Sequence, residues 1–225
     1  MWRRWPGKAR TARRALAALA AALISQLAAV AETGQAMERA DVVPIEVFVV
    51  REDGDPVVSR DWLNAQVFHA SALFAPAGVG FEIERVRAIS DEHAHIETRD
   101  DRDALAAIDR EPGRVQLFVV RRLDDVDVDG NRLFGVHWRF REDRSQTWII
   151  MSTRDTTNTV LAHELGHLFE LGHSRYPASI MNKSPDVEVP WPARAFAEPE
   201  TERIRRQARR HFASGRLAPA GQDGD

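Results

Sequence analysis

His163-Glu164-Leu165-Gly166-His167-Leu168-Phe169-Glu170-Leu171-Gly172-His173 is the stretch on which the reading of this chain turns. His163 and His167 are four residues apart, so on a helix both rings leave one face about one turn apart and can hold one metal ion. Glu164 follows the first ligand and can reach a water on that ion without entering the coordination shell, as a general base must. His173 lies six residues beyond His167, which on an unbroken helix is about 240° round and roughly 9 Å further along the axis. It joins the site only if the helix ends between the two, and Gly172 is the residue expected to let the backbone turn back. Three histidines leave a fourth position open, as in catalytic zinc sites; structural sites are normally closed by four protein ligands, often cysteines, and this chain has none.

The segment reads as a helix for independent reasons. Leu161, Leu165, Leu168 and Phe169 form an apolar stripe at i, i+4, i+7 and i+8, and Thr156, Thr157 and Asn158 offer capping side chains before it. His163 and His167 fall on the far side of the wheel. The apolar face is therefore expected to hold the helix rigid while the metal face points into a cleft.

These residues resemble the signature of the metzincin metallopeptidases, H-E-x-x-H-x-x-G-x-x-H followed by a turn with a methionine under the metal. The match runs through His163, Glu164, His167 and His173, with Ser179-Ile180-Met181-Asn182 as the methionine turn. One position departs: the chain has Glu170 where the family has Gly. A left-handed non-Gly residue costs about 1–2 kcal/mol, against roughly 10 kcal/mol or more for zinc in a formed site, so the strain alone should not abolish the site. Alone, Met181 would read as core filler, and Glu170 as a surface carboxylate poorly placed to be a ligand.

The resemblance implies a zinc endopeptidase in which His163, His167 and His173 hold Zn2+ and Glu164 is the general base. Family members with a switching tyrosine ligand place it two residues after the methionine. That position is Lys183 here, and the chain's one tyrosine, Tyr176, precedes the turn.

Length and composition fit one globular domain with a proper core: 225 residues, 44% hydrophobic and 29% charged. A net charge of −3 argues for neither a nucleic-acid nor an acidic partner. The Arg-rich stretch Glu202–His211 carries Ile204, Ala208 and Phe212 every four residues, which is an amphipathic helix with a solvated basic face.

At the N-terminus, Arg3, Arg4, Lys8, Arg10, Arg13 and Arg14 precede an apolar run, Ala15–Ala31, that ends in the cleavage-like triplet Ala29-Val30-Ala31. The expectation is a signal peptide over residues 1–31, a linker over 32–41, the catalytic domain over 42–213 and a polar, disordered tail over 214–225. Destination is then the periplasm or the medium. An uncleaved membrane anchor is the alternative. With no cysteine there is no disulfide, no lipoprotein anchor, and none of the cysteine-based latency of the matrixin branch.

Along the mature chain, strands are expected at Val43–Val50, Phe81–Ile89, Val115–Val120, Phe134–Phe140 and Thr147–Met151, the last leading directly into the metal helix. Ser59 opens a helix with Leu63, Val67, Ala70 and Phe74 inward, ended by Pro76 and Gly78, and Arg102–Asp109 is a short helical piece. The fold class is α/β (α+β), a mixed twisted five-stranded sheet packed on helices. Metzincin domains look like this, and the resemblance extends over about residues 41–213. It implies an antiparallel edge strand lining the cleft, assigned to Gly135–Arg139, on which an extended peptide would pair. An ordinary amphipathic strand is the plain alternative. Asn182–Pro192, stiffened by Pro185, Pro190 and Pro192, should wall the pocket for the residue after the cleaved bond.

Asp125, Asp127 and Asp129 before Gly130 begin like a calcium loop, but Val136 stands where an EF-hand needs its bidentate Glu, and a solvated acidic turn is the preferred reading. His93 and His95 are a second, weaker metal candidate, for which exposed loop residues are the preferred reading. Two other classes of function stay open: a zinc-containing binding protein without turnover, and a metal-dependent hydrolase of non-peptide substrates. The expected partner is a protein or peptide substrate, met by a monomer, with no nucleic acid and no stable membrane association once the signal is removed.

Overall fold

The computed structural model describes residues 41–155, 157–184 and 188–220. The proposed signal peptide lies outside them. In chain order the elements are β1 (Asp41–Glu52), β2 (Asp55–Pro56), α1 (Arg60–Phe74), β3 (Val79–Ile89), β4 (His95–Ile96), α2 (Arg99–Ala104), β5 (Val115–Val120), β6 (Arg122–Leu123), β7 (Gly135–Arg139), β8 (Thr147–Ser152), α3 (Val160–Leu168) and α4 (Glu198–Ala213).

Five long strands form the main sheet in the order β3-β1-β5-β8-β7, with β2 folded back on the end of β1. The β1–β3, β1–β5 and β5–β8 pairs are parallel and β7 runs antiparallel along β8 as an edge. The mixed sheet with its antiparallel edge is the expected one.

Side chains alternate across a strand, and the sheet uses both faces. Val43, Ile45, Val47 and Val49 of β1, Leu117 and Val119 of β5, and Ile149 and Met151 of β8 share one core with Leu63, Val67, Ala70 and Phe74 of α1, Leu161 and Leu165 of α3, and Ile204 and Ala208 of α4. The intervening Phe48, Val50, Phe118, Val120, Trp148 and Ile150 pack on the other face against Ala94, Ile96, Leu105, Leu123 and Trp138. Burial on both faces explains why these strands read as continuous apolar runs.

Ser59 caps α1 as expected, its hydroxyl accepting from the Trp62 N–H, and Gly78 takes φ 78° in the turn after Pro76. The short helical piece begins earlier than expected. Thr98 and Asp101 form a reciprocal capping box that starts α2 at Arg99, and 3-10 geometry over Leu105–Ala107 closes it. The exposed face of α4 carries Arg203, Arg206, Arg209 and Arg210.

Residues 214–220, assigned from sequence to the tail, lie against the domain. Leu217 is buried in the helix-side core, and the Ala218 and Ala220 N–H groups donate to Gly113 O and Val42 O. A single buried leucine among small and polar residues has no period to announce it. None of the helices among the described residues is long and apolar enough to cross a membrane.

Candidate metal centre and cleft

The metal helix is positioned by Asp155. β8 reaches α3 through the loop 153–159 and not directly, and Asp155 is buried in that loop. Its Oδ1 accepts from the Thr157 N–H and hydroxyl, and its Oδ2 from the Val160 N–H and the Gln66 amide of α1. Of the capping side chains expected from sequence, Thr156 is outside the described residues, and Thr157 serves Asp155 instead of the helix. Asp155 satisfies a first-turn donor and ties α3 to α1 at once.

α3 stops at Leu168, and the turn back is made by Glu170 at φ 63°, not by Gly172. Leu171 N–H donates to Gly166 O and Glu170 N–H to His167 O, both within 3.0 Å, which is the Schellman arrangement with Glu in the position usually given to Gly. The left-handed cost is met locally: both terminal carbonyls are satisfied, and the exposed Glu170 carboxylate accepts from Gln207 of α4 at 2.5 Å. Gly172 has an ordinary backbone and open space around it.

This turn returns the chain so that His173 faces His163 and His167. Ring centroids lie 4.9 Å apart for His163–His167, 5.0 Å for His167–His173 and 5.6 Å for His163–His173. One ligand nitrogen from each falls within 4.8 Å of the others, and no other group of three potential ligating side chains converges among the described residues. His163 Nδ1 meets Ile180 O and His167 Nδ1 meets Leu171 O, each at 2.8 Å. A carbonyl can only accept, so Nδ1 carries the proton and Nε2 keeps its lone pair for a metal. The buried Nε2 of His163 has no partner among the described residues. Burial pushes the pKa of His163 down to about 3 and of His173 to about 4, and lowers that of His167, so the rings are neutral as ligands must be. The donor set fits one zinc ion with a position left over.

Glu164 is buried on the same helix, and its Oε2 accepts from the His137 N–H of β7 at 2.7 Å. Burial pushes its pKa up to about 7, against the pull of that N–H, Lys183 and Arg102. Gly135 allows the close approach: a Cβ there would meet Val160 Cγ1 at 2.5 Å and Glu164 Cγ at 3.1 Å.

Met181 is fully buried beneath α3, its sulfur so near Gly166 that a Cβ at that glycine would come within 2.5 Å. The turn holding it is fixed by Ser179, whose hydroxyl accepts from Met181 N–H and donates to buried Glu200, and by Arg194, which donates to Asn182 O and Val189 O. Beside Glu164 and His163 opens a cavity of about 300 Å³, walled by Leu133 and Phe134, by Val160, and by Lys183 and Trp191 of the segment after the methionine turn. Of the expected wall, residues 185–187 lie outside the described ones.

The sequence reading missed Asp155, Gly135, Glu200 and Arg194. Asp155 alone left a signal, as an acidic residue just ahead of the helix; the others act through contacts distant in sequence. The structure does not bring Asp125, Asp127 and Asp129 to one point. Asp125 accepts from Asp127 N–H and the Asn131 amide, and Asp127 pairs with Arg99. His93 and His95 are not among the converging histidines.

Comparison with known proteins agrees with this geometry. Residues 125–190, from the acidic turn through β7, α3 and the methionine turn, match the model of the matrixin family. In fold the chain is similar to archaemetzincin from Methanopyrus kandleri, at 18% identity and TM-score 0.52 over 76% of this chain and 98% of that one. It is also similar to mirolysin, at 14% identity and TM-score 0.50 over 80% and 99%, and to metalloproteinase-II from Bacteroides fragilis, at 13% and 0.50 over 74% and 53%. No curated protein matches the sequence. In sheet, histidine cluster and matrixin segment the chain is similar to the metzincin-type zinc metallopeptidases.

Proposed function

We propose that the chain is exported and cleaves internal peptide bonds of protein or peptide substrates in the periplasm or the medium, acting as a monomer. The observation that carries the peptidase reading is the buried Glu164 carboxylate, held by an edge-strand N–H beside three histidines with converging ring nitrogens. His163, His167 and His173 hold the metal. A bound zinc ion supplies Lewis acidity there, acidifying water and polarising a carbonyl. Glu164 takes the proton from the attacking water and returns it to the leaving amine. Its raised pKa suits both halves of that task, since a group near neutrality can accept and donate. β7 offers its unpaired main-chain edge to an extended substrate, and the cavity beside Glu164 takes the side chain that follows the cleaved bond.

That cavity is apolar in its walls with Lys183 and Arg132 among its lining, which favours large apolar side chains over basic ones. Asp155 also lines it, but both its oxygens are already engaged.

Export rests on the basic and apolar N-terminal segment and its Ala29-Val30-Ala31 triplet. Expressing the full-length chain in a bacterial host and determining the N-terminus of the product outside the cytoplasm tests it. A product beginning at Glu32 is expected, and an intact Met1 on membranes would instead establish an anchor. Digestion of a diverse peptide mixture tests the activity: cuts at internal bonds are expected, and trimming from chain ends alone would refute an endopeptidase.

A further inference from the structure

Lys183 leaves the chain just after the methionine turn, on a segment bonded to two of the three histidine stretches. Ile180 O accepts from His163 Nδ1 at 2.8 Å, and Met181 O accepts from the N–H of Ser174, the residue after His173, at 3.0 Å. Both neighbours of Lys183 are held. Buried Asn182 donates its amide to Tyr176 O, its Oδ1 accepts from the Ser184 N–H at 2.8 Å, and its main-chain O accepts from Arg194 at 2.6 Å. The point from which the Lys183 side chain starts is therefore fixed against the metal site, while its four-carbon stem stays free to adjust.

That side chain lines the cavity beside Glu164 together with Glu164 and His163 themselves. It is exposed, and among the described residues its ammonium forms no ion pair or hydrogen bond. Its charge is nevertheless felt throughout the site. After burial, which dominates the pKa of each group, the Lys183 ammonium pulls down that of His163, Glu164, His167 and His173 alike. A cation that reaches three rings and the carboxylate between them stands over the space where a substrate carbonyl must sit.

Water adding to a carbonyl drives negative charge onto the carbonyl oxygen, and a donor aimed at that oxygen stabilises the charge as it forms. Other donors around Glu164 and the rings are engaged. The His137 N–H is taken by Glu164, the Nδ1 protons of His163 and His167 by Ile180 O and Leu171 O, and Arg102 by Asp124 O. Lys183 offers three donors that are not.

We propose that Lys183 is a further catalytic residue, whose ammonium donates to the scissile carbonyl oxygen as negative charge gathers there. This rests on the peptidase reading above. As the water oxygen bonds to the carbonyl carbon, one water proton passes to Glu164 and the π pair of the carbonyl withdraws onto its oxygen, facing Lys183. When that pair returns, the C–N bond breaks and Glu164 delivers the proton to the leaving amine. Lys183 keeps its own protons throughout.

The test compares the zinc-loaded wild type, Lys183→Met and Lys183→Arg on one peptide that the wild type cuts and on the phosphinic analogue of that peptide, in which a phosphinate and a methylene replace the carbonyl and nitrogen of the cut bond. In Lys183→Met, kcat should fall about 10- to 100-fold, with KM changed less than about threefold and about one zinc per chain retained. The phosphinate is a tetrahedral anion in the place of the charged oxygen, so isothermal titration should show it bound about tenfold or more weakly by Lys183→Met. Lys183→Arg should recover part of both losses. A loss carried by KM, with the phosphinic peptide bound as tightly as by wild type, would make Lys183 a contact to the intact substrate and would overturn the proposal. Equal cleavage by wild type and Lys183→Met would overturn it while leaving the peptidase reading in place, whereas no cleavage by the wild type would remove both.

Discussion

The main-chain N–H of His137 donates to Glu164 Oε2 at 2.7 Å, so the edge strand and the metal helix are joined through the residue assigned as general base. That N–H lies on the edge of β7 turned away from β8, the edge proposed above to receive substrate. One short contact therefore sets the position of the base relative to the peptide it serves.

Gly135 is what permits that contact. In Gly135→Ala the new methyl would press on Val160 and Glu164, and β7 must move off α3. We expect kcat to fall about 10- to 100-fold through misplacement of the base, with a stability loss of about 1–3 kcal/mol from overpacking and zinc content unchanged. Steady-state kinetics with metal analysis checks this; an unaltered kcat would show that the strand position does not govern the base.

Asp155 holds both the start of α3 and its tie to α1. Asp155→Ala leaves the Val160 N–H without its acceptor and takes from the buried Gln66 amide one of its two, the other being Asn158 Oδ1. A loss of about 2–3 kcal/mol in urea unfolding is expected, and Asp155→Asn should recover part of it. A change below about 0.5 kcal/mol would assign the helix start to other contacts.

Glu170 turns the chain in a conformation that disfavours side chains, yet its carboxylate is hydrogen-bonded by Gln207. Glu170→Gly removes about 1–2 kcal/mol of strain and gives up a hydrogen bond and backbone entropy of similar size. Stability should therefore change by less than about 1 kcal/mol with zinc and activity retained. Glu170→Val, β-branched and without the hydrogen bond, should be clearly destabilised and bind zinc more weakly. Equal behaviour of the two variants in zinc titration and urea unfolding would contradict this account of the turn.

What the sequence made legible follows from how local the cause is. The Ser59 cap with Leu63, Val67, Ala70 and Phe74 behind it announced α1, and the apolar runs of β1, β5 and β8 announced strands buried on both faces. The three histidines converge because the helix ends before His173, as the sequence analysis required of a shared site. The turn between them went to Gly172 on intrinsic preference, whereas the hydrogen bonds at the end of α3 place the left-handed residue two positions earlier. The Glu200–Ser179 and Arg194–Asn182 contacts that fix the methionine turn join residues many positions apart, with no periodicity to reveal them.

Acid should destabilise the metal-free protein. Six imidazoles, those of His69, His137, His163, His167, His173 and His211, have folded pKa values lowered by burial, so the unfolded chain binds more protons as pH falls through about 6.5. Their contribution is fully present above that pH. It is lost progressively toward the folded values of about 3 for His137 and His163 and about 4 for His173. Glu164, raised to about 7, works in the opposite sense between about 7 and 4.5, but it is one group against six. The urea midpoint should be flat above pH 7 and fall below about 6.5. The folded protein should still hold zinc near pH 5.5, about one unit below the pKa of an ordinary imidazole. Zinc release midway near pH 6.5 would contradict the assigned neutrality of the ligands.

The central claim is that three histidines hold zinc while Glu164, outside the ligand set, moves the proton. The most direct test compares the wild-type protein with Glu164→Ala, measuring zinc per chain and cleavage of a peptide mixture on the same samples. About one zinc per chain in both proteins, with cleavage lowered about 10²- to 10⁴-fold in the variant, is the predicted result. Full activity in Glu164→Ala, or loss of its zinc, would contradict the account.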